Sequence, residues 1–229
     1  MKHLTLRRLW PLLGTLLGTL LALNTVGSQA ATVAFDLTQG SNGAFASLTS
    51  SAGGHSVATT AWVSEAGAAY DSASVAKTST GLGVLSFGVG HAGMVDNAGS
   101  HVEALLFDFG TSDFSSLVVS FTQLGSAETV NLWWGDSLDL GNVGAPLASF
   151  VSNPGNNPFN LAQFGGARYL LLAAADNGQS GTGCGSDNGC FKVDGLTGTV
   201  PEPGALALVG LAGVLGAVAS RRRRAQPQG

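Results

Sequence analysis

The sequence predicts an all-β fold: one β-sandwich or jelly-roll-like domain over residues 31–199. Three observations carry that expectation. Short apolar runs are separated by clusters of Gly, Asn, Asp, Ser and Thr, the pattern of many short strands joined by turns. Residues 31–200 hold 26 glycines and few Lys, Arg or Glu, so strong helix formers other than Ala and Leu are scarce. Two of the runs alternate with the period of two that a strand requires.

The strands follow in order. Thr32 to Leu37 opens the domain, then His55 to Val63 and Gly83 to Val89. Val102 to Phe109 alternates, with Glu103, Leu105, Phe107 and Phe109 on one face and Val102, Ala104, Leu106 and Asp108 on the other. Leu117 to Leu124 alternates too, and Leu117, Val119 and Phe121 share a face. Thr129 to Trp134 and Leu147 to Val151 come next. Tyr169 to Ala175 is apolar throughout, which suits a central strand buried on both faces. Phe191 to Val200 closes the series. Turns fall at Asp96–Gly99, Asn153–Pro158 and Asp176–Gly178. One short helix is expected at Asn160 to Phe164.

The aromatic bulk of the core is assigned to Phe107, Phe109, Phe114, Phe121, Trp133, Trp134, Phe150 and Tyr169. Trp133 and Trp134 are neighbours, so in a strand they point to opposite faces. At most one enters the main core, and the other lies under a loop or offers a stacking surface for a sugar ring.

Charge divides the chain into three. Residues 1–30 carry Lys2, Arg7 and Arg8 and no acid. Between Asp36 and Asp194 stand thirteen acids against three bases (Lys77, Arg168 and Lys192), a balance of −10. Such an acidic body excludes a nucleic-acid binder, which needs a basic face to neutralise phosphates. The basic start, the apolar stretch Leu9 to Leu23 with seven leucines from Leu12 onward, and the small residues Ser28 and Ala30 form a secretory signal peptide over residues 1–30. A signal peptidase is therefore an expected partner.

At the other end, Pro201-Glu202-Pro203 precedes an apolar run from Ala205 to Ala219, and Arg221, Arg222, Arg223 and Arg224 close it. As a helix the run is about 23 Å long, slightly short of a hydrocarbon core of about 30 Å. The four arginines hold that end on the cytoplasmic side. Pro201 and Pro203 keep the preceding backbone extended and withhold amide donors. Residues 225–229 are read as a disordered tail.

This three-part order, covering residues 200–224, resembles the PEP-CTERM sorting signal. The resemblance implies a tail recognised by an exosortase, a membrane-embedded cysteine peptidase of Gram-negative bacteria that make exopolysaccharide. A looser similarity to exosortase-dependent surface proteins runs through Gly81-Leu82-Gly83-Val84, Val95-Asp96-Asn97, Glu103 to Phe109, Tyr169-Leu170-Leu171, Phe191-Lys192-Val193 and Gly195 to Gly198. Together they imply export through the inner membrane, transient anchoring there, and delivery to the cell surface or an exopolysaccharide matrix. No catalysis is expected of the body.

Other constellations carry less. In an exported chain, Cys184 and Cys190 form a disulfide by default, a seven-residue loop worth about 2 kcal/mol. Gly88-Val89-Gly90-His91-Ala92-Gly93 matches G-x-G-x-x-G, but Met94 to Asn97 turns instead of opening a helix. His91 and His101 with Asp96 or Glu103 are the one zinc-like grouping, and exposed or capped histidines near turns account for them better. No G-x-S-x-G elbow supports a secreted hydrolase. Calcium is the strongest cofactor candidate, with Asp96, Asn97 and Glu103 as its first candidate ligands, although Asx residues make turns without a metal. The second functional reading is a carbohydrate-binding module that uses Trp133 or Trp134.

Overall fold

The computed structural model describes residues 30–65, 68–86, 93–98, 101–124, 128–152, 157–175 and 190–201. The signal peptide and the apolar run with its arginine cluster lie outside the described residues, as do Glu202 and Pro203. Residues Ala31–Val200 cluster into one unit.

That unit is all β, with no helix among the described residues. Its strands are β1 (Ala31–Asp36), β2 (Gly43–Phe45), β3 (Leu48–Ala52), β4 (His55–Glu65), β5 (Tyr70–Thr78), β6 (Gly81–Leu85) and β7 (Asn97–Ala98). They continue as β8 (His101–Asp108), β9 (Ser116–Thr122), β10 (Thr129–Gly135), β11 (Ala148–Val151), β12 (Phe159–Leu161), β13 (Tyr169–Ala174) and β14 (Lys192–Val200). Ten of them form one antiparallel path in the order β11-β10-β13-β8-β4-β5-β6-β14-β9-β12. The other four attach alongside: β1 to β14, β2 to β5, β3 to β4 and β7 to β8.

The two sheets expected of a sandwich are thus joined. Tyr70 to Ala73 of β5 pair with β4, and Ser74 to Thr78 pair with β6. The sheet curls around its core until the ends of the path meet. Phe150 of β11 and Phe159 of β12 bring their rings within 4.7 Å, and Phe150 also stacks on Phe121 of β9 at 5.8 Å. The result is a nearly closed, barrel-like sheet whose last gap is bridged by rings instead of backbone hydrogen bonds.

Alternation places the side chains. Leu105 and Phe107 of β8, Leu117, Val119 and Phe121 of β9, and Leu170, Leu172 and Ala174 of β13 enter the main core. Phe109, Phe114 and Phe164 pack edge to face beside them, with Phe35 against Phe114 and Phe191 against Phe121. Phe35, Phe164 and Phe191 are core aromatics that the sequence pattern did not single out. Tyr169 was expected in the core; it is half-buried, with the Arg168 guanidinium 4.7 Å above its ring. The opposite face of β8, β10 and β13 forms a second, smaller cluster of Ala104, Trp133, Leu171 and Ala173, against which Leu138, Leu140 and Val143 pack. The run Tyr169–Ala174 is therefore buried on both sides, as its unbroken apolarity requires.

The short helix expected at Asn160 to Phe164 is not formed. Phe159 to Leu161 pair with Val119 to Leu117 of β9, and a turn follows in which Phe164 N–H donates to the Leu161 carbonyl. An open strand edge satisfies these amides at once, which a one-turn helix cannot do alone. Strand β5 escapes the sequence pattern because Asp71, Ser72, Ser74 and Lys77 break its apolar run. Lys77 is nevertheless buried, and its Nζ donates to the Leu37 carbonyl at 2.8 Å. Cys190 is buried ahead of β14. Cys184, and with it the expected pairing, lies outside the described residues.

Candidate functional site

Cross-strand register assembles a site at one end of the curled sheet. Directly opposed residues of an antiparallel pair share a face. Val63 of β4 opposes both Asp71 of β5 and Glu103 of β8, and Glu65 opposes His101. The same face carries Ala61 and Leu105 one step further in, inside the main core. The inward face of these strands therefore changes from apolar to acidic as it reaches the mouth. A cavity of about 210 Å³ opens there, lined by Val63, Glu65, Asp71, Leu85, Ser86 and His101 among others. On its rim, His101 Nε2 lies 3.2 Å from the exposed Glu65 carboxylate.

Beneath the cavity sits a buried pair of acids. Asp96 and Glu103 are each 2% exposed. The Ser86 hydroxyl donates to Glu103 Oε1, and the Asp96 N–H donates to Glu103 Oε2 at 3.1 Å. Glu103 N–H in turn donates to the Asp96 carbonyl at 2.9 Å. Burial first, and then the negative charge of Asp96, pushes Glu103 up from its ordinary value of 4.5 to about 8. The segment bearing Asp96 is held on both sides. Val84 N–H donates to Met94 O, and Val95 and Phe191 exchange two backbone bonds. Asn97 Nδ2 reaches Ala175 O at 3.0 Å.

The three residues expected as calcium ligands are thus brought together, but as an internal hydrogen-bonded network. Both Glu103 oxygens accept from protein donors, and Asn97 Nδ2 donates to Ala175 O. Calcium takes six to eight oxygens. Among the described residues no group of three or more His, Cys, Asp or Glu is placed to hold a metal ion. His91 of the zinc-like grouping lies outside the described residues, as does most of the G-x-G-x-x-G stretch.

The tryptophans part as alternation demands. Trp134 is half-buried against the main core, with Val130 and Leu132 on its side of β10. Trp133 is 7% exposed, packs beside Leu138, Leu140 and Val143, and donates from Nε1 to Gly144 O at 3.2 Å. It offers no open ring face to a sugar. At the other end of β4, His55 Nδ1 lies 3.2 Å from Ser112 Oγ, a contact invisible in the sequence because 57 residues separate them. Among the described residues no carboxylate is hydrogen-bonded to His55.

Pro201 leaves the body exposed at the end of β14, whose last residue, Val200, pairs with Ala31 of β1. The first and last strands of the body therefore lie side by side, and the sorting segment begins where that pairing stops. No curated protein and no solved structure matches this chain. Residues 199–224 match the pattern described as the PEP-CTERM protein-sorting motif. Pro201-Glu202-Pro203, the apolar run and the four arginines thus make the C-terminal end of this chain a PEP-CTERM sorting motif, which implies an exported protein sorted to the cell surface by exosortase.

Proposed function

We propose that this chain is a non-catalytic surface or matrix protein, exported, held briefly in the inner membrane, and transferred by exosortase to work beside exopolysaccharide. The observation that carries the reading is the sorting motif over residues 199–224. The body's charge supports it. Asp36, Glu65, Asp71, Asp113, Asp136 and Asp139 are exposed, while Lys77 and Lys192 are buried. Arg168, the one lysine or arginine left near the surface among the described residues, is bound by Asp108 through two hydrogen bonds of 2.9 Å. Such a surface stays hydrated and repels other anionic chains. We further read the curled sheet as a jelly-roll-like sandwich with β5 as the shared strand. The Cys184–Cys190 disulfide is kept as part of this reading; it pins the approach to β14.

The test is the intact mass of the protein from its native host, with and without exosortase. Loss of the tail only when exosortase is present is expected. An uncut tail in both strains makes the segment a plain anchor and removes the reading. The carbohydrate-binding alternative is tested by tryptophan fluorescence with added exopolysaccharide. Trp133 is buried and Trp134 packs half-buried against the main core, so we expect no spectral shift at any concentration.

A further inference from the structure

Lys192 is a buried ammonium with no counter-charge among the described residues. It is 8% exposed. The ion pairs among the described residues are Glu65–His101 and Asp108–Arg168, and Lys192 makes none. Asp194, two residues along β14, leaves its Oδ1 without a hydrogen-bond partner. Burial lowers the pKa of both buried lysines; at Lys77 the Asp36 charge opposes that, and at Lys192 no described charge does. An ammonium out of water is costly unless an anion pairs with it. The neighbours of Lys192 are three threonines. It opposes Thr122 of β9. Across β6 its Nζ lies 3.2 Å from both Thr78 Oγ1 and Thr80 Oγ1, at the turn between β5 and β6.

These hydroxyls supply fewer acceptors than the cluster has donors. The Thr122 hydroxyl donates to Thr80 O, and the Thr78 hydroxyl to Gly81 O at 3.1 Å. Three donors then converge on Thr78 Oγ1: Lys192 Nζ, the Thr80 hydroxyl at 3.1 Å and the Thr80 N–H at 3.4 Å. A hydroxyl oxygen has two lone pairs, and an ammonium has three donors. One donor is thus surplus at Thr78, and the third N–H of Lys192 adds another. Thr80 is exposed, and Thr78 and Thr122 are half-buried, so this surplus sits just beneath the surface. Surplus donors around an unpaired cation are what an oxyanion binds. We propose that Lys192 and Thr80 form an oxyanion site at the β5–β6 turn, which takes a single carboxylate or sulfate group. The acidic surface elsewhere repels a densely charged chain, so the group is an isolated one. Free sulfate and the carboxylate of an acidic sugar share this chemistry. The sugar source rests on the matrix role proposed above; the site itself does not.

Titration of the full chain in uncharged detergent, followed by amide chemical shifts at an ionic strength held constant with chloride, tests the site. Sodium sulfate or sodium glucuronate is expected to shift the Thr78, Thr80 and Lys192 amides along a saturable curve with a Kd of about 1–10 mM, a few charge-assisted contacts opposed by an acidic body. The Leu171 amide, buried in β13, is expected not to move. Saturation by glucuronate assigns the acidic-sugar source, and saturation by sulfate alone assigns the free ion; either supports the site. K192M, which keeps an unbranched stem and removes the charge, is expected to abolish the curve. A curve unchanged in K192M, or none in the wild type up to about 100 mM of either anion, overturns the proposal. Should K192M not fold, T80V decides, since Thr80 is exposed. A Kd raised by about tenfold supports the site, the factor for one lost charge-assisted contact, and a wild-type Kd overturns it. None of these readings involves exosortase, so an uncut tail in the native host would leave them standing.

Discussion

Replacing Pro201, Glu202 and Pro203 together with alanine is expected to leave the precursor uncut in a host that has exosortase. The processed fraction should fall on the order of tenfold or more, the factor that about 1.4 kcal/mol of lost recognition produces. The prolines restrict their own backbone and that of the residue before each of them, and they withhold two amide donors. Three alanines remove both restraints and favour helical backbone through the motif. A peptidase that reads an extended segment then meets a helical one. Pulse-chase labelling with intact-mass detection measures the change. Processing at the wild-type rate would show that the apolar run and its arginines alone are read.

The second large effect is steric. Gly83, in β6, runs so close to the neighbouring chain that a Cβ built on it lies 2.2 Å from the Gly93 carbonyl oxygen and 2.6 Å from Met94 Cα. These are backbone atoms, so no rotamer change relieves the clash. Gly83→Ala must push the segment from Gly93 outward, and that breaks the bonds from Val84 N–H to Met94 O and from Gly93 N–H to Val84 O. Overpacking costs about 1–3 kcal/mol, and each lost hydrogen bond adds about 1 kcal/mol. The expected destabilisation is therefore about 4 kcal/mol in urea unfolding. Gly135→Ala is the matched control. Its nearest atom would be Ser137 O at 3.4 Å, so it is expected to stay within about 1 kcal/mol of wild type. Gly83→Ala at wild-type stability would mean that β6 and the Asp96 segment are not packed together. The same substitution also displaces Asp96 from Glu103, linking the stability of this end of the sheet to the acid pair.

Part of the acid pair is legible in the sequence. The alternation of β8 puts Glu103 on the face of Leu105 and Phe107, so parity already implies a core-facing carboxyl. The local turn at Asp96-Asn97 is visible as well, and the two together resemble a cation loop. What the spacing cannot show is that Ser86, from another strand, and the Asp96 N–H occupy the Glu103 oxygens. A set of oxygens around a metal and a carboxyl held by protein donors have the same local sequence. They differ in which donors the fold brings to them.

The chain's own order of residues determined its strand content, the inward faces of β8 and β9, the double burial of β13 and the sorting motif. Each of these is written in a period or an order a few residues long, and short-range sterics and hydrophobicity are sufficient to express it. Tertiary structure alone decided that β5 serves both halves of the sheet, that a buried lysine caps the Leu37 carbonyl, that Trp133 and not Trp134 lies beside Leu138 and Val143, and that Phe159 to Leu161 become a strand. Those outcomes depend on partners tens of residues away. A strand edge, a free carbonyl or a covering loop exists only once the whole sheet has curled, and no local pattern records which distant segment will supply it.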